Sequence, residues 1–399
     1  MTSSDLRRVL WIPLLAAACG GPGPAATPPT TPTGNATPGG TNVVPVSVNG
    51  RGCPASAYFN EPCVSVTVCV PGTSTCQTVD DVLLDTGSTG LRVFSQALSL
   101  PLTPVPAGQA TLAECISYLD GSSQWGSVVE AGVVLGGEPA VTVPIHLVDS
   151  TFASPPSACA GAQTDPVSAG YNGILGVAEW DRDCGDGCTR TNNGLYFACS
   201  GTSCAGTAAA LPSQVRNPVA ALPLDGNGVI VRLPAVPFGG AASVSGELVL
   251  GIGTRANNVP PTGVVAFPLD GSGELRTTIG GAVVPSFLDT GSNGIFFPSP
   301  TAALTTCPAP DTAWFCPAAP VTVSATNAAA QGSPSAGVTF RIASIDALGA
   351  AIAVSSEVGG PAAGPSGVDW GLPFHFGRDV YVGLEGRSSS LGAGPLVAY

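Results

Sequence analysis

Apolar residues in this chain recur mainly at period two. Cys63-Val64-Ser65-Val66-Thr67-Val68-Cys69-Val70 alternates small polar and branched apolar side chains. That pattern predicts an antiparallel strand with one face in a core and one face in water. Val43–Val48, 115–137, 139–148, 228–233, 246–251, 264–269, 275–284 and 338–345 read as further strands or hairpins. They are separated by Gly, Pro, Asn and Ser clusters, which punctuate strands with turns. No long run carries the three-to-four spacing of an amphipathic helix, so the expectation is an all-β protein.

One short pattern occurs twice. Leu83-Leu84 leads into Asp85-Thr86-Gly87-Ser88, then Thr89-Gly90 and the apolar Leu91, Val93 and Phe94. Phe287-Leu288 leads into Asp289-Thr290-Gly291-Ser292, then Asn293-Gly294 and Ile295-Phe296-Phe297. A lone Asp-Thr-Gly-Ser carries little weight in so Gly- and Ser-rich a chain. Two copies in matching apolar frames, half a chain apart, indicate a duplicated unit.

Composition adds three constraints. At 399 residues, 44% hydrophobic and 10% charged, the chain has material for two cored domains. The net charge of −13, with every basic residue an arginine, argues against nucleic-acid binding. It suits work at low pH, where carboxylates neutralise, and equally a genome poor in lysine codons.

The first residues fit an export signal: Arg7-Arg8, an apolar run from Val9 to Leu15, then Ala16-Ala17-Ala18-Cys19. Residues 1–19 resemble a lipoprotein signal with Cys19 as the lipidated residue; plain secretion with cleavage near Ala18 is the alternative. Residues 20–42 are rich in Pro, Thr and Gly with no charge, the composition of an extended tether. With Cys19 set aside the cysteines are even in number, which in an exported chain suggests disulfides. Proximity suggests Cys53–Cys63, Cys69–Cys76, Cys115–Cys159 and Cys307–Cys316. Cys184, Cys188, Cys199 and Cys204 share one insertion, readable as two disulfides or as a zinc site.

The repeated motif implies a chemistry. Two carboxylates brought within hydrogen-bond reach cannot both ionise easily, so they share a proton. One then activates water while the other protonates a carbonyl oxygen, without cofactor or metal. The bland alternative is a pair of Gly turns kept by the fold. Serine-elbow, zinc-protease, P-loop and dinucleotide motifs are all lacking. His146, inside an apolar run, reads as structural.

These residues resemble the pepsin-like aspartic peptidases over about residues 43–399. The resemblance implies a bilobal double β-barrel with a cleft between pseudo-symmetric lobes, at 43–228 and 229–399. It places Asp85 and Asp289 as the catalytic pair, supported by Thr86, Gly87, Ser88, Thr290, Gly291 and Ser292. Tyr118, with Gly121 and Ser122, falls at the substrate-covering flap. Ile174-Leu175-Gly176 matches the apolar-apolar-Gly element that crosses beneath the first catalytic loop, and Phe374-His375-Phe376-Gly377 resembles its second-lobe counterpart. Arg92 stands where the family has the tryptophan that bonds the flap tyrosine; Trp125 is a candidate substitute. The implied activity is hydrolysis of extended peptides by a monomer at the cell envelope, lipid-anchored or secreted. The altered flap and Arg92 keep a second expectation open, a catalytically silent binding or inhibitor module on the same fold.

Overall fold

The computed structural model describes residues 41–50, 53, 58–349, 351–362 and 367–399. The export signal, Cys19 and the tether up to residue 40 lie outside the described residues. Thr41 and Asn42, which the composition assigns to the tether, belong to the folded body: Asn42 is buried and its amide donates to Leu250 O at 2.9 Å.

The chain is all-β, with a closed six-stranded barrel and a half-barrel. The α-helices among the described residues are single turns, Pro166–Ala169 and Leu372–His375. Alternation sets which face is buried. In Val43–Val48 the residues Val44, Val46 and Val48 point inward, and in Pro62–Cys69 so do Val64, Val66 and Val68. Ser65 and Thr67 face out and bond Asp80 and Thr78 across the neighbouring strand. The large inward residues of both halves join one apolar cluster.

One antiparallel run ties the halves together. Its order is Val43–Val48, Val244–Leu250, Gly228–Leu233, Arg378–Gly383, Leu396–Ala398, Ala266–Pro268. The first described strand and the last one therefore share a sheet, and a separate seven-stranded sheet carries the second motif. Strand Val321–Ala328 escaped the sequence pattern, because its inward positions are Val323, Ala325 and Asn327, two of them small or polar.

All four proposed disulfides form, and the insertion closes Cys184–Cys188 and Cys199–Cys204. The zinc alternative falls, since those sulfurs are bonded to one another. Six disulfides fit an oxidising, exported environment.

Candidate active site

Both motifs sit at the ends of buried strands. Cys76–Asp85 delivers Asp85, and Ala282–Leu288 ends just before Asp289. Each chain then turns back through its Gly-Ser into a further strand, Thr89–Phe94 or Ile295–Phe297. A crossing strand holds each turn. Gly173–Val177 runs parallel to the first delivering strand and antiparallel to Thr89–Phe94. Val368–Trp370 repeats both pairings around the second motif. This corrects the expectation for Phe374–Gly377. That segment is a helical turn and its exit, and the crossing element is Val368-Asp369-Trp370-Gly371.

The two turns grip each other through their threonines. Thr86 N donates to Thr290 Oγ1 and Thr290 N donates to Thr86 Oγ1, both at 3.0 Å. Thr86 Oγ1 donates to Leu288 O at 2.9 Å, and Thr290 Oγ1 donates to Leu84 O at 2.7 Å. Every buried donor and acceptor in this seam is thus met by the opposite motif. The grip brings the two carboxyls close enough for the charge of Asp85 to act on Asp289. The glycines permit this approach: a Cβ on Gly87 would lie 2.7 Å from Asp289 Cγ, and one on Gly291 would lie 2.8 Å from Asp85 Oδ1.

Each carboxylate is held from its own turn. Gly87 N and Ser88 Oγ donate to Asp85 at 2.8 and 2.5 Å; Gly291 N and Ser292 Oγ donate to Asp289 at 2.8 and 2.7 Å. Burial pushes Asp289 well above the usual carboxylate range, and the charges of Asp85 and Asp369 push the same way. Two carboxyls in contact cannot both ionise easily, so the pair holds one proton between them.

The reading of the sequence missed Asp369. Its Oδ2 lies 2.6 Å from Ser292 Oγ, which also reaches Asp289. One hydroxyl hydrogen cannot serve two carboxylates, so Asp369 must donate its own proton to Ser292 when Ser292 donates to Asp289. Burial pushes Asp369 up to about 7, against the lowering effect of Ser292 and with a further push from Asp85, which suits that donor role. The available signal was an acid set in an apolar run before a glycine, Val368-Asp369-Trp370-Gly371.

The hairpin that carries Tyr118 is formed by Ala110–Ser117 and Ser123–Val134, with Tyr118 to Ser122 at the tip. Tyr118 N donates to Ser122 O and Gly121 N to Tyr118 O, closing the turn. The Tyr118 ring packs against the cluster of Leu83, Phe94 and Ile174. Its hydroxyl donates to Gln124 Oε1 at 3.1 Å, and Gln124 in turn donates to Gln163. Gln124 therefore takes the partner role foreseen for Trp125. Trp125 is buried elsewhere, its Nε1 on Ala153 O and its ring against Phe152 and Phe197. At the tip, Leu119 is 72% exposed.

Arg92 is fully buried and turned into its own network. Its guanidinium donates to Thr89 O and Glu114 Oε1 at 2.8 Å and to Asp183 Oδ2 at 3.2 Å. His146 Nδ1 lies 3.0 Å from Glu114 Oε2, and Tyr196 OH donates to Asp183 Oδ1 at 2.6 Å. The network joins the motif sheet to the hairpin strand and the disulfide-rich insertion. The charge of Arg92 opposes the burial of Glu114 and holds that carboxyl far below its usual range. His146 is structural, as expected. His375 is buried, accepts no charge there, and is pushed down to about 3 by burial.

Fold and site together define an all-β protein with two gripped Asp-Thr-Gly-Ser turns and a carboxylate pair. The chain belongs to the family described as "Protein of unknown function (DUF3443)", which it matches over residues 38–399. No curated protein matches it.

Proposed function

We propose that this chain is an aspartic endopeptidase of bilobal, pepsin-like fold, exported and held at the cell envelope. The lobes at 43–228 and 229–399 would each bring one aspartate to a shared cleft. The observation that carries this reading is the reciprocal threonine grip, which sets Asp85 against Asp289 as a pair that shares one proton. Asp85 takes a proton from a water held between the carboxyls, and the water oxygen bonds to the carbonyl carbon of an extended peptide. The Asp289 proton passes to the carbonyl oxygen. The tetrahedral diol then collapses: its hydroxyl proton returns to the dyad, the leaving nitrogen is protonated, and the C–N bond breaks. Tyr118 and Leu119 at the hairpin tip would cover the peptide.

The test is peptide cleavage from pH 3 to 7 by the wild type, Asp85→Asn and Asp289→Asn. Each change should lower kcat/KM by about a hundredfold to ten-thousandfold, the usual worth of general acid–base catalysis. Cleavage that survives either change overturns the reading. A folded wild type that cleaves nothing in a broad library moves it to the binding module.

A further inference from the structure

A pocket of about 180 Å³ opens beside the first motif. Gly87, whose Cα faces the Asp289 carboxyl, forms one edge, and the exposed Leu119 of the hairpin tip forms another. Trp180 and Phe287 supply apolar walls. The charged lining is acidic, Glu179 and Glu274, with no arginine among the lining residues; Thr86 and Ser272 are the neutral polar members. A cavity of about 150 Å³ takes a benzene ring, so this one has room for a long side chain.

Glu179 is the unusual member. It is only 8% exposed, yet its carboxylate has no cationic partner among the described residues. A buried carboxylate with no cationic partner is costly, and native structures seldom keep one without a use. Its Oε1 rests on Gly273, where a Cβ would lie 1.9 Å away, and the Trp180 ring flanks the same point at 3.3 Å. Gly273 has φ +80, so both its backbone and its missing side chain serve the placement of Glu179. The groups that face Glu179 are all acidic: Asp270 and Glu274 from the 270–275 turn, and Glu385 from the loop after Arg378–Gly383. An apolar slot with an indole wall and an unpaired carboxylate matches an aliphatic stem ending in a cation.

We propose that this pocket receives an arginine or lysine side chain of the bound peptide, with Glu179 as counter-ion and Glu274 at the rim. The assignment rests on the reading of the cleft as a site for extended peptides. It makes the residue seated beside the reacting bond basic, and it makes that preference pH-dependent. Burial, and after it the charges of Glu385 and Asp270, push Glu179 up to about 7. The cationic preference is therefore strongest above pH 7 and fades as Glu179 takes up a proton.

The probes are fluorescein-labelled octapeptides of Phe, Val and Ala, with one arginine at each position in turn, each paired with its citrulline twin of equal shape. Binding is followed by anisotropy at pH 8 and pH 5, and cleavage of the same peptides is scored separately. At one position the arginine peptide should bind at least tenfold tighter than its twin at pH 8. The ratio should fall several-fold at pH 5 in the wild type, a readout that needs no variant. Glu179→Gln should bring it near one at both pH values, and Glu274→Gln should lower it less. Arginine and citrulline peptides that bind alike at every position, or not at all, overturn the subsite. A ratio that Glu179→Gln leaves unchanged does the same. Selective binding with no cleavage upholds the subsite while removing the endopeptidase; cleavage without basic preference does the reverse.

Discussion

Thr86→Val tests the seam on which the site depends. Valine has nearly the shape of threonine, so packing around this buried position is kept. Two hydrogen bonds go: the one that Thr86 Oγ1 donates to Leu288 O at 2.9 Å, and the one it accepts from Thr290 N at 3.0 Å. Water has no easy access to either orphan, since Thr86 is 3% and Thr290 0% exposed. An unmet buried donor or acceptor costs about 1–3 kcal/mol, so the pair should cost about 2–6 kcal/mol. Thr290→Val loses the equivalent two bonds, to Leu84 O and from Thr86 N, and should cost a similar amount. Thr86→Ser keeps the hydroxyl and loses one methyl, worth about 1 kcal/mol. The assay is urea unfolding at pH 5 with disulfides intact, followed by tryptophan fluorescence, for all three variants. Two results would refute the reasoning. One is a Thr86→Val loss below about 0.5 kcal/mol; the other is a serine variant as unstable as the valine variant.

Two further outcomes follow from the buried charges. Asp369 and Glu179 are raised to about 7, so their contribution to stability is complete below about pH 4 and is lost as pH rises through about 7; Asp289 is raised as well and acts in the same direction. His375, lowered to about 3, acts oppositely: its contribution is complete above about pH 6.5 and is lost as pH falls toward 3. The raised carboxyls outweigh the imidazole and predict a Tm that falls from pH 5 to pH 8 in scanning calorimetry, and over that range Asp369→Asn should reduce the loss of stability by no more than about 3 kcal/mol; an unchanged slope in that variant counts against the assignment. Arg92→Met leaves Glu114 and Asp183 buried without their cation and should cost about 3–5 kcal/mol in urea unfolding. Adding Glu114→Gln and Asp183→Asn should restore most of that; no recovery would place the loss in packing.

Many strand positions along the chain were legible because a strand exposes its pattern locally. Alternation in 63–70 needs only a core on one side, and the repeated Asp-Thr-Gly-Ser needs only its own turn. Proximity in sequence likewise gave Cys53–Cys63, Cys69–Cys76 and Cys307–Cys316, since a short loop between cysteines leaves few alternatives; Cys115–Cys159, 44 residues apart, was the longest of the pairings suggested. The crossing strand of the second motif was not legible. Phe374–Gly377 and Val368–Gly371 both read as apolar segments ending in glycine, and only parallel pairing with Ala282–Leu288 selects the second. Arg92 gave no sign of its role, because its partners come from 22 and 91 residues away.

The sequence by itself determined an all-β chain, its duplicated motif, four of its cysteine pairs and two aspartates in Gly turns, all properties of spacing along the chain. Tertiary structure decided what surrounds those aspartates. The threonine grip crosses 204 residues. Asp369 meets Ser292 across 77 residues, Glu179 comes to rest on Gly273, and Gln124 rather than Trp125 takes the tyrosine hydroxyl. Each of these is a contact between side chains or turns whose meeting is set by how sheets pair, and a carboxyl's protonation depends on such neighbours more than on its own residue type.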